Sequence, residues 1–225
     1  MKISIIVPCF NEEKRILPVL NSLKKSKSCG EIIVVDDGSN QKTKKILAKI
    51  NGIKLVTHLI NQGKAQALKT GVLRSIYPYV AFIDSDLVNF TPFHLDKLID
   101  PVVNSHYDIS FSDREKEYFH SRLSGFSIAY TGERVFRREI LISNLDVFNV
   151  KGYLVEPSMN RRFNGHYKIA KVLFKDVSQC AKHKKNGFIV GWKNDINMLI
   201  NYIAFLGYSE FFRQLYFAKK LPFYR

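Results

Sequence analysis

Short apolar segments that end in polar or acidic loops constrain the fold of this chain more than any other feature. They are Ile3–Pro8, followed by Asn11–Glu13; Glu31–Val35, followed by Asp36–Ser39; and Val80–Ile83, followed by Asp84–Asp86. Apolar runs of this length are typical of buried strands in a parallel sheet. Stretches with helical periodicity separate them, and such alternation is the pattern of an α/β fold. We therefore expect a mostly parallel sheet flanked by helices.

The predicted elements alternate regularly up to residue 111 and become less regular beyond it. The further strands of the first half are Ile53–Leu59 and Tyr107–Phe111, and its helices are Glu12–Lys25, Lys42–Ile50, Asn61–Arg74 and Pro92–Val103. In the second half we expect a helix that follows Gly132–Arg138 and ends near Ile142, a strand pair or an extended segment at Lys168–Cys180 and a helical stretch at Ile196–Phe217. The predicted division is a domain at residues 1–190, with halves at 1–111 and 112–190, and a C-terminal helical extension at 191–225.

Asp84 and Asp86 follow the strand predicted at Val80–Ile83 and lie one residue apart. Open α/β sheets bind ligands at the carboxyl ends of their strands. Two carboxylates so close repel each other unless a cation lies between them, and hard oxygen ligands suit Mg²⁺ or Mn²⁺, which also bind phosphate. The pattern predicts a diphosphate held by a metal ion. A turn and helix cap built from Asp and Ser is the alternative.

Charge and cysteine content bound the partners and the compartment. The net charge of +15, from 35 basic and 20 acidic residues, favours an anionic partner such as a nucleotide, a phosphorylated acceptor or an acidic membrane surface. The basic residues are spread along the chain, which argues against nucleic acid. The three cysteines, Cys9, Cys29 and Cys180, have no disulfide or zinc-site spacing. Together with the absence of a signal-peptide or transmembrane pattern, this predicts a cytoplasmic protein, either free or at the inner face of the membrane.

In combination, the motifs resemble nucleotide-sugar glycosyltransferases of the Rossmann-like GT-A fold, of the family-2 type. The motifs that carry the resemblance are Val7-Pro8 with Asn11-Glu12-Glu13, Val34–Ser39, Asn61 with Gly63-Lys64, Ala67-Leu68 and Gly71, and the DXD motif Asp84-Ser85-Asp86. Phe82–Pro92, Gly132–Arg134 and Gly152–Glu156 are similar to a narrower branch, the glucosyl-3-phosphoglycerate synthases and their relatives. The resemblance implies transfer of a hexose from a UDP- or GDP-linked sugar, UDP-glucose in the narrower branch, with Mg²⁺ or Mn²⁺.

The resemblance also implies the site residues. The donor would be bound by Pro8, Cys9, Phe10, Glu12, Asp37, Lys64, Asp84, Ser85 and Asp86. Gly132, Glu133 and Arg134 would shape the acceptor side, although Glu133 also suits the start of a helix. Asp86 and a histidine would ligate the metal; His183 is the expected residue and His166 its competitor. A place in a solvated basic loop is the alternative for His183.

Glu156 is the acid of the second half that we expect to take part in catalysis, with Asp86 and Lys64. Its neighbours Val155 and Pro157 should shield it, and burial raises the pKa of a carboxyl group. It would bind hydroxyl groups of the donor sugar or act as the base for the acceptor. The alternative is a structural role as the partner of an arginine, either Arg134, Arg137 or Arg161.

The resemblance leaves the acceptor open between a small molecule and a lipid-linked hydroxyl or phosphate. The Arg-x-Thr acceptor element of the narrower branch is not found, so the resemblance does not imply phosphoglycerate as the acceptor. Enzymes of that branch retain the anomeric configuration of the sugar, and the resemblance therefore favours retention here. The C-terminal stretch is expected to pack on the sheet or in a homodimer, or to lie on a membrane surface. A polyprenol-phosphate glycosyltransferase at the membrane, or an inactive nucleotide- or nucleic-acid-binding protein of the same fold, is the alternative function.

Overall fold

A computed structural model describes residues 1–115, 124–179 and 188–224. Its strands are β1 (Ile3–Cys9), β2 (Cys29–Asp36), β3 (Lys54–Thr57), β4 (Tyr79–Phe82), β5 (Leu87–Val88), β6 (Ile109–Arg114), β7 (Arg134–Arg137), β8 (Ile169–Phe174), β9 (Ser178–Gln179) and β10 (Phe223–Tyr224). Its α-helices are α1 (Ile16–Lys25), α2 (Gln41–Leu47), α3 (Lys64–Arg74), α4 (Pro92–Asn104), α5 (Phe126–Ala129), α6 (Arg138–Ile142), α7 (Val155–Phe163), α8 (Phe188–Leu206) and α9 (Tyr208–Lys220). Short 3₁₀ turns cover Leu145–Phe148 and Gly152–Leu154.

One large sheet contains eight of these strands, in the order β10-β8-β6-β7-β4-β1-β2-β3. Adjacent strands of this sheet are parallel, with one exception: β7 lies between β4 and β6 and is antiparallel to both. β5 and β9 pair separately as a two-stranded antiparallel ribbon. The predicted α/β fold with a mostly parallel sheet and flanking helices is confirmed.

The antiparallel strand β7 was not predicted. The segment that contains it was expected to lead into a helix, and it does so as α6, but a strand comes first. Arginines flank its only two apolar residues, Val135 and Phe136, so the sequence shows no alternating pattern. Because β7 runs against its neighbours, it begins at the end of the sheet where they finish. Gly132 and Glu133 are therefore placed beside the carboxyl ends of β4 and β6.

Alternate residues of the central strands divide the core into two layers. Ile6 and Phe82 belong to the cluster that also contains residues of α3, α7, α8 and α9. Ile5 and Ile83 belong to the cluster on the other face, which includes residues of α1 and α4. Strands covered on both faces need apolar residues in succession, which is why the sequence shows continuous apolar runs at these strands.

The C-terminal stretch forms two helices instead of one. Gly207 separates α8 from α9 with φ of 76°, a left-handed conformation that favours glycine. Buried residues of both helices, including Tyr202, Phe211 and Leu215, join the same core cluster as Phe82. One face of the extension therefore packs on the domain. In the part of the chain that the structure describes, no helix combines the length and apolar character needed to cross a membrane.

Candidate active site

The loops that follow β1 and β2 meet at the carboxyl end of the sheet. The Asp37 backbone N–H donates to the Cys9 carbonyl at 2.8 Å. The Asn11 backbone N–H donates to Ser39 Oγ at 3.0 Å, and Asn11 Oδ1 accepts from the Asn40 N–H at 2.8 Å. Asn11 has φ of 56°, a conformation that asparagine tolerates better than most residues. These contacts join the two loops at one end of the sheet.

Asp37, directly after β2, holds the start of α3. Its Oδ1 accepts from the Gln62 backbone N–H at 3.0 Å and lies 2.7 Å from His58 Nδ1, while its Oδ2 accepts from the Gly63 N–H at 2.8 Å. A carboxylate at this position is favoured by the helix dipole. Asp37 thereby fixes the position of Lys64, which follows Gly63 and is the first residue of α3. Contact of Asp37 with a nucleotide base stays a prediction.

Lys64 joins two carboxylates from different elements into one cluster. Its Nζ lies 2.8 Å from Asp84 Oδ1 and 2.8 Å from Glu156 Oε1. Asp84 follows β4, and Glu156 stands in the first turn of α7. Burial alone would lower the pKa of Lys64, but the two carboxylates outweigh it and raise the pKa above its ordinary value. Lys64 is therefore a cation, and the structure brings together two of the three predicted catalytic residues.

Gly132 closes one side of this cluster. A Cβ atom at position 132 would lie 2.7 Å from Lys64 Nζ and would also collide with a carboxylate oxygen of Asp84. Only glycine allows the loop before β7 to approach the ion pair so closely. The predicted acceptor-side residue thus contacts the residues predicted to bind the donor.

Glu156 is buried, with an exposed fraction of 3%, and its two oxygens differ. Oε1 pairs with Lys64, whereas Oε2 is buried without a hydrogen-bond partner among the described residues. A buried acceptor without a partner is costly, and such atoms in native structures call for an explanation. Within the described residues, the ion-pair partner of Glu156 is Lys64, so the alternative in which Arg134, Arg137 or Arg161 holds it is not observed. The free acceptor capacity of Oε2 is available to a ligand.

Glu133 is enclosed and fully used by protein groups. Its oxygens accept hydrogen bonds from Ser112 Oγ at 2.8 Å, Thr131 Oγ1 at 2.8 Å and Arg114 Nη1 at 2.9 and 3.1 Å. Its exposed fraction is 0%. The alternative place for Glu133, at the start of a helix, is wrong, because Glu133 directly precedes the strand β7. Its part on the acceptor side stays a prediction, and the contacts make that part an indirect one.

Arg134 is also fully buried, with an exposed fraction of 0%. Its guanidinium donates to the carbonyls of Thr131 and Ala129 and to Asn160 Oδ1, and it lies 4.1 Å from the ring centre of Phe111. Burial lowers the pKa of Arg134 to about 10, so the side chain is charged at neutral pH. These contacts hold α7 against β7, and any effect of Arg134 on an acceptor would pass through them.

Tyr202 on α8 is a site neighbour that the sequence did not indicate. Its ring centre lies 4.5 Å from that of Tyr130, and only 3% of the residue is exposed. Burial, followed by the nearby Glu156 carboxylate, raises the pKa of Tyr202 well above its ordinary value, so the hydroxyl keeps its proton. The Tyr130 hydroxyl is buried and lacks a hydrogen-bond partner among the described residues. No local motif marks Tyr202, because its neighbours form an ordinary amphipathic helix.

The remaining predicted donor residues line the same end of the sheet in different environments. Cys9 is buried, which raises the pKa of its thiol to about 12 and keeps it neutral. Phe10 is 46% exposed, and Ser85 is buried. Glu12 lies 2.6 Å from Arg15 Nη1. Contacts of these residues and of Pro8 with a nucleotide stay predictions.

The carboxylates fit the predicted divalent metal in number and chemistry. Asp84, which pairs with Lys64, and Asp86, two residues further along the chain, are both partly exposed. Mg²⁺ commonly takes one or two carboxylates and completes its shell with phosphate oxygens and water. Within residues 1–115, 124–179 and 188–224, no group of three or more His, Cys, Asp or Glu side chains could hold a metal by itself. Any such site therefore depends on the substrate or on a residue outside these ranges.

His183, the expected histidine ligand, lies outside the described residues. The described strand before it, β9, ends at Gln179 and pairs with Leu87, the residue directly after Asp86. His166, the competitor, is exposed in the turn before β8. Since β8 is parallel to β6, that turn is at the opposite end of the sheet from Asp86. The geometry therefore places His166 away from the acids.

A mostly parallel sheet with acids at the carboxyl ends of its strands, and with a lysine at the start of a neighbouring helix, is the arrangement of nucleotide-sugar transferases with the GT-A fold. The family model described as glycosyl transferase family 2 matches residues 4–163. The chain belongs to this family.

Individual relatives match smaller parts of the chain. An uncharacterised protein of Methanocaldococcus jannaschii is 35% identical over 133 residues, which are 54% of this chain and 56% of that protein. The dolichyl-phosphate beta-glucosyltransferase of Mus musculus is 37% identical over 101 residues, which are 38% of this chain and 31% of that protein. The chain spans about half the length of the first curated relatives it matches.

A solved structure matches over a larger share. Glucosyl-3-phosphoglycerate synthase from Mycobacterium tuberculosis, in complex with Mn²⁺ and UDP-glucose, superposes with a TM-score of 0.65 and 25% identity. The match covers 80% of this chain and 71% of that chain. The predicted GT-A fold and the resemblance to this branch are confirmed.

Proposed function

We propose that this chain transfers a hexose from a UDP- or GDP-linked sugar to a hydroxyl or phosphate acceptor, with Mg²⁺ or Mn²⁺. The observation that carries the proposal is the cluster of Lys64, Asp84 and Glu156, in which one buried carboxylate oxygen has no protein partner. Family membership and the structural match to an enzyme crystallised with UDP-glucose support the same class of donor.

Each charged residue has a distinct part in the proposed reaction. Lys64, a cation at the start of α3, attracts the diphosphate and balances the charge that grows on it as it leaves. Asp86, with His183, would hold the metal ion, which would supply further positive charge at the diphosphate. Glu156 Oε2 accepts a hydrogen bond from a hydroxyl group of the donor sugar and so orients the anomeric carbon.

The proposed transfer needs no reagent other than the donor and the acceptor. An acceptor oxygen forms a bond to the anomeric carbon, while the bond from that carbon to the diphosphate oxygen breaks and its electron pair leaves with the nucleotide. A phosphate acceptor brings no proton, and a hydroxyl acceptor gives its proton to a diphosphate oxygen. Lys64 cannot act as the base, because its raised pKa keeps it protonated.

The test is thermal unfolding with UDP-glucose, UDP-N-acetylglucosamine, GDP-mannose and GDP-glucose, each with and without Mn²⁺. A ligand at a hundred times its Kd stabilises by about 2.7 kcal/mol, which such an experiment resolves. We expect one donor to stabilise the wild type only with Mn²⁺, and Asp86→Asn to abolish the shift. Asp96→Asn is the matched control, since Asp96 lies on α4 and accepts from Ser26 Oγ. Equal shifts in Asp86→Asn and wild type would contradict the proposal.

A further inference from the structure

The outer face of α9 carries three exposed aromatic side chains. Tyr208, Phe212 and Tyr216 are spaced four residues apart, so they form one stripe along the helix. Their exposed fractions are 72%, 62% and 65%. Large aromatic residues are usually buried or engaged, and a contiguous exposed set marks an interaction surface. We call Tyr208, Phe212 and Tyr216 the aromatic stripe.

Basic residues accompany the aromatic stripe on the same half of the helix. At 3.6 residues per turn, Arg213 and Lys220 lie opposite the buried Phe211 and Ala218, and Lys219 lies in line with the aromatic stripe. All three are exposed, and Lys220 Nζ lies 5.7 Å from the ring centre of Tyr216.

Glu210 is the only acid of α9, and it is tied inside the helix. Its oxygens lie 2.6 Å from Arg213 Nε and 2.9 Å from Gln214 Nε2, and its side chain is 18% exposed. The exposed half of α9 is thus aromatic and cationic.

The inner face of the same helix leads to the active site. Phe211 stacks on Tyr130, with ring centres 6.1 Å apart, and Tyr130 stands two residues before Gly132. Gly132 in turn contacts the pair formed by Lys64 and Asp84. Whatever the outer face of α9 rests on is therefore held beside the acceptor half of the domain.

A second copy of the chain fits this face poorly. Buried aromatic side chains cover about 150–250 Å² each, so three partly exposed rings offer roughly 400 Å², about half of what one partner contributes to a stable interface. Pairing two copies through the stripe would also bring Arg213, Lys219 and Lys220 of both chains together. An anionic surface complements the same charges. Aromatic side chains with cations beside them are the composition of helices that lie in the interface of a lipid bilayer.

We propose that α9 docks on an anionic lipid bilayer, with the aromatic stripe at the acyl boundary and Arg213, Lys219 and Lys220 at the headgroups. Docking in this way brings the acceptor half of the domain to the bilayer surface and fits a lipid-linked acceptor. The choice of acceptor rests on the proposed function, whereas binding to the bilayer does not.

The test is co-sedimentation with vesicles of phosphatidylcholine alone and with about 30 mol % phosphatidylserine, at low and high salt. We expect wild type to bind the anionic vesicles and to lose binding as salt rises. Phe212→Ser with Tyr216→Ser should weaken binding at least tenfold, and Lys219→Gln with Lys220→Gln should weaken it and reduce its salt dependence. Phe93→Ser is the matched control, because Phe93 is 63% exposed and lies on α4.

Two results would overturn the proposal. One is a failure of the wild type to sediment with anionic vesicles, or an equal loss of vesicle binding in the control Phe93→Ser and in the variant Phe212→Ser with Tyr216→Ser. The other is a dimer by light scattering that Phe212→Ser converts to a monomer, with no vesicle binding in either form. Donor binding, measured by thermal shift on the same variants, should be unchanged. Vesicle binding without any donor binding would reject the proposed function and leave the docking proposal standing.

Discussion

Two buried carboxylates lie close to Gly132, and they differ in how their oxygens are used. Glu133 receives hydrogen bonds from two hydroxyl groups and an arginine, so both of its oxygens are engaged by the protein. Glu156 uses one oxygen to pair with Lys64 and leaves the other buried without a partner in the described structure. The two residues have the same chemistry and similar burial, but only Glu133 has both carboxylate oxygens engaged by protein groups.

The comparison separates a structural acid from a binding one. A buried polar network whose members are all satisfied rigidifies the fold, whereas an unsatisfied buried acceptor costs free energy until something donates to it. Glu133 therefore belongs to the framework that fixes the start of β7. We propose that Glu156 belongs to a site that a ligand completes. The predictions below test this division, from the largest expected effect to the smallest.

Removal of the lysine should be the most damaging change. Lys64→Met removes the cation that Asp84 and the buried Glu156 share, and loss of one partner of a buried ion pair costs about 3–5 kcal/mol. We expect transferase activity to fall by about 10²–10³-fold, since charge on the leaving diphosphate is no longer balanced.

Lys69→Met is the matched control on the same helix. Lys69 Nζ bonds to Asn149 Oδ1 at 3.0 Å in an exposed setting. Denaturant unfolding and initial rates should show little change in this control. Similar losses in both variants would mean that the Lys64 cluster has no special role.

The two glutamates should separate stability from activity. Glu133→Gln removes the charge that Arg114 needs inside the domain, and we expect a loss of about 1–3 kcal/mol in unfolding free energy, with near-normal activity per folded molecule. Glu156→Gln should change the unfolding free energy by less than about 1 kcal/mol, because Lys64 keeps its ion pair with Asp84. The same change should lower kcat by about 100-fold. A loss of activity in Glu133→Gln together with a loss of stability in Glu156→Gln would contradict the division between a structural and a ligand-binding glutamate.

A methyl group at position 132 should act on the site through the ion pair of Lys64 and Asp84. Gly132→Ala forces the ion pair of Lys64 and Asp84 to move, so we expect donor affinity to fall by about tenfold while unfolding free energy changes by about 1–3 kcal/mol. Calorimetric titration with the donor measures the first quantity. Unchanged affinity would show that the donor does not depend on this ion pair.

The pH dependence of stability should report the charge of Lys64. Its pKa is raised above the ordinary 10.5, so its contribution is complete below that value and is lost as pH rises through the folded-state pKa. The difference in unfolding free energy between wild type and Lys64→Met should therefore stay constant between about pH 8 and 10 and narrow at higher pH. A difference that narrows already near neutral pH would mean that Lys64 is not held as a cation.

Local sequence patterns predicted the parts of the site that lie directly after strands or at helix starts. Asp84 follows a continuous apolar run, and Lys64 stands at the start of a periodic helix, so their place at one end of the sheet follows from topology. Glu156 was expected to be shielded, and it is. Its pairing with Lys64 was not predicted, because no local pattern relates a residue of α3 to one of α7.

The parts that were missed depend on packing between distant segments. β7 has only two apolar residues, and its position between β4 and β6 is set by neighbours more than twenty residues away. The partners of Glu133 come from β6 and from the loop before β7. Tyr202 reaches the site because α8 folds back on α5, and an amphipathic pattern does not say what its buried face contacts.

The most direct measurement is the ratio of affinities for nucleotide-sugar and nucleotide diphosphate in Glu156→Gln and Glu133→Gln. Calorimetry with Mn²⁺ on wild type and both variants, at a temperature where all three are folded, gives the six affinities. If Glu156 Oε2 binds the sugar, Glu156→Gln should lose about tenfold or more of the preference for the sugar-bearing ligand, whereas Glu133→Gln should keep the wild-type ratio. An unchanged ratio in Glu156→Gln would contradict the claim that its free oxygen binds the donor sugar.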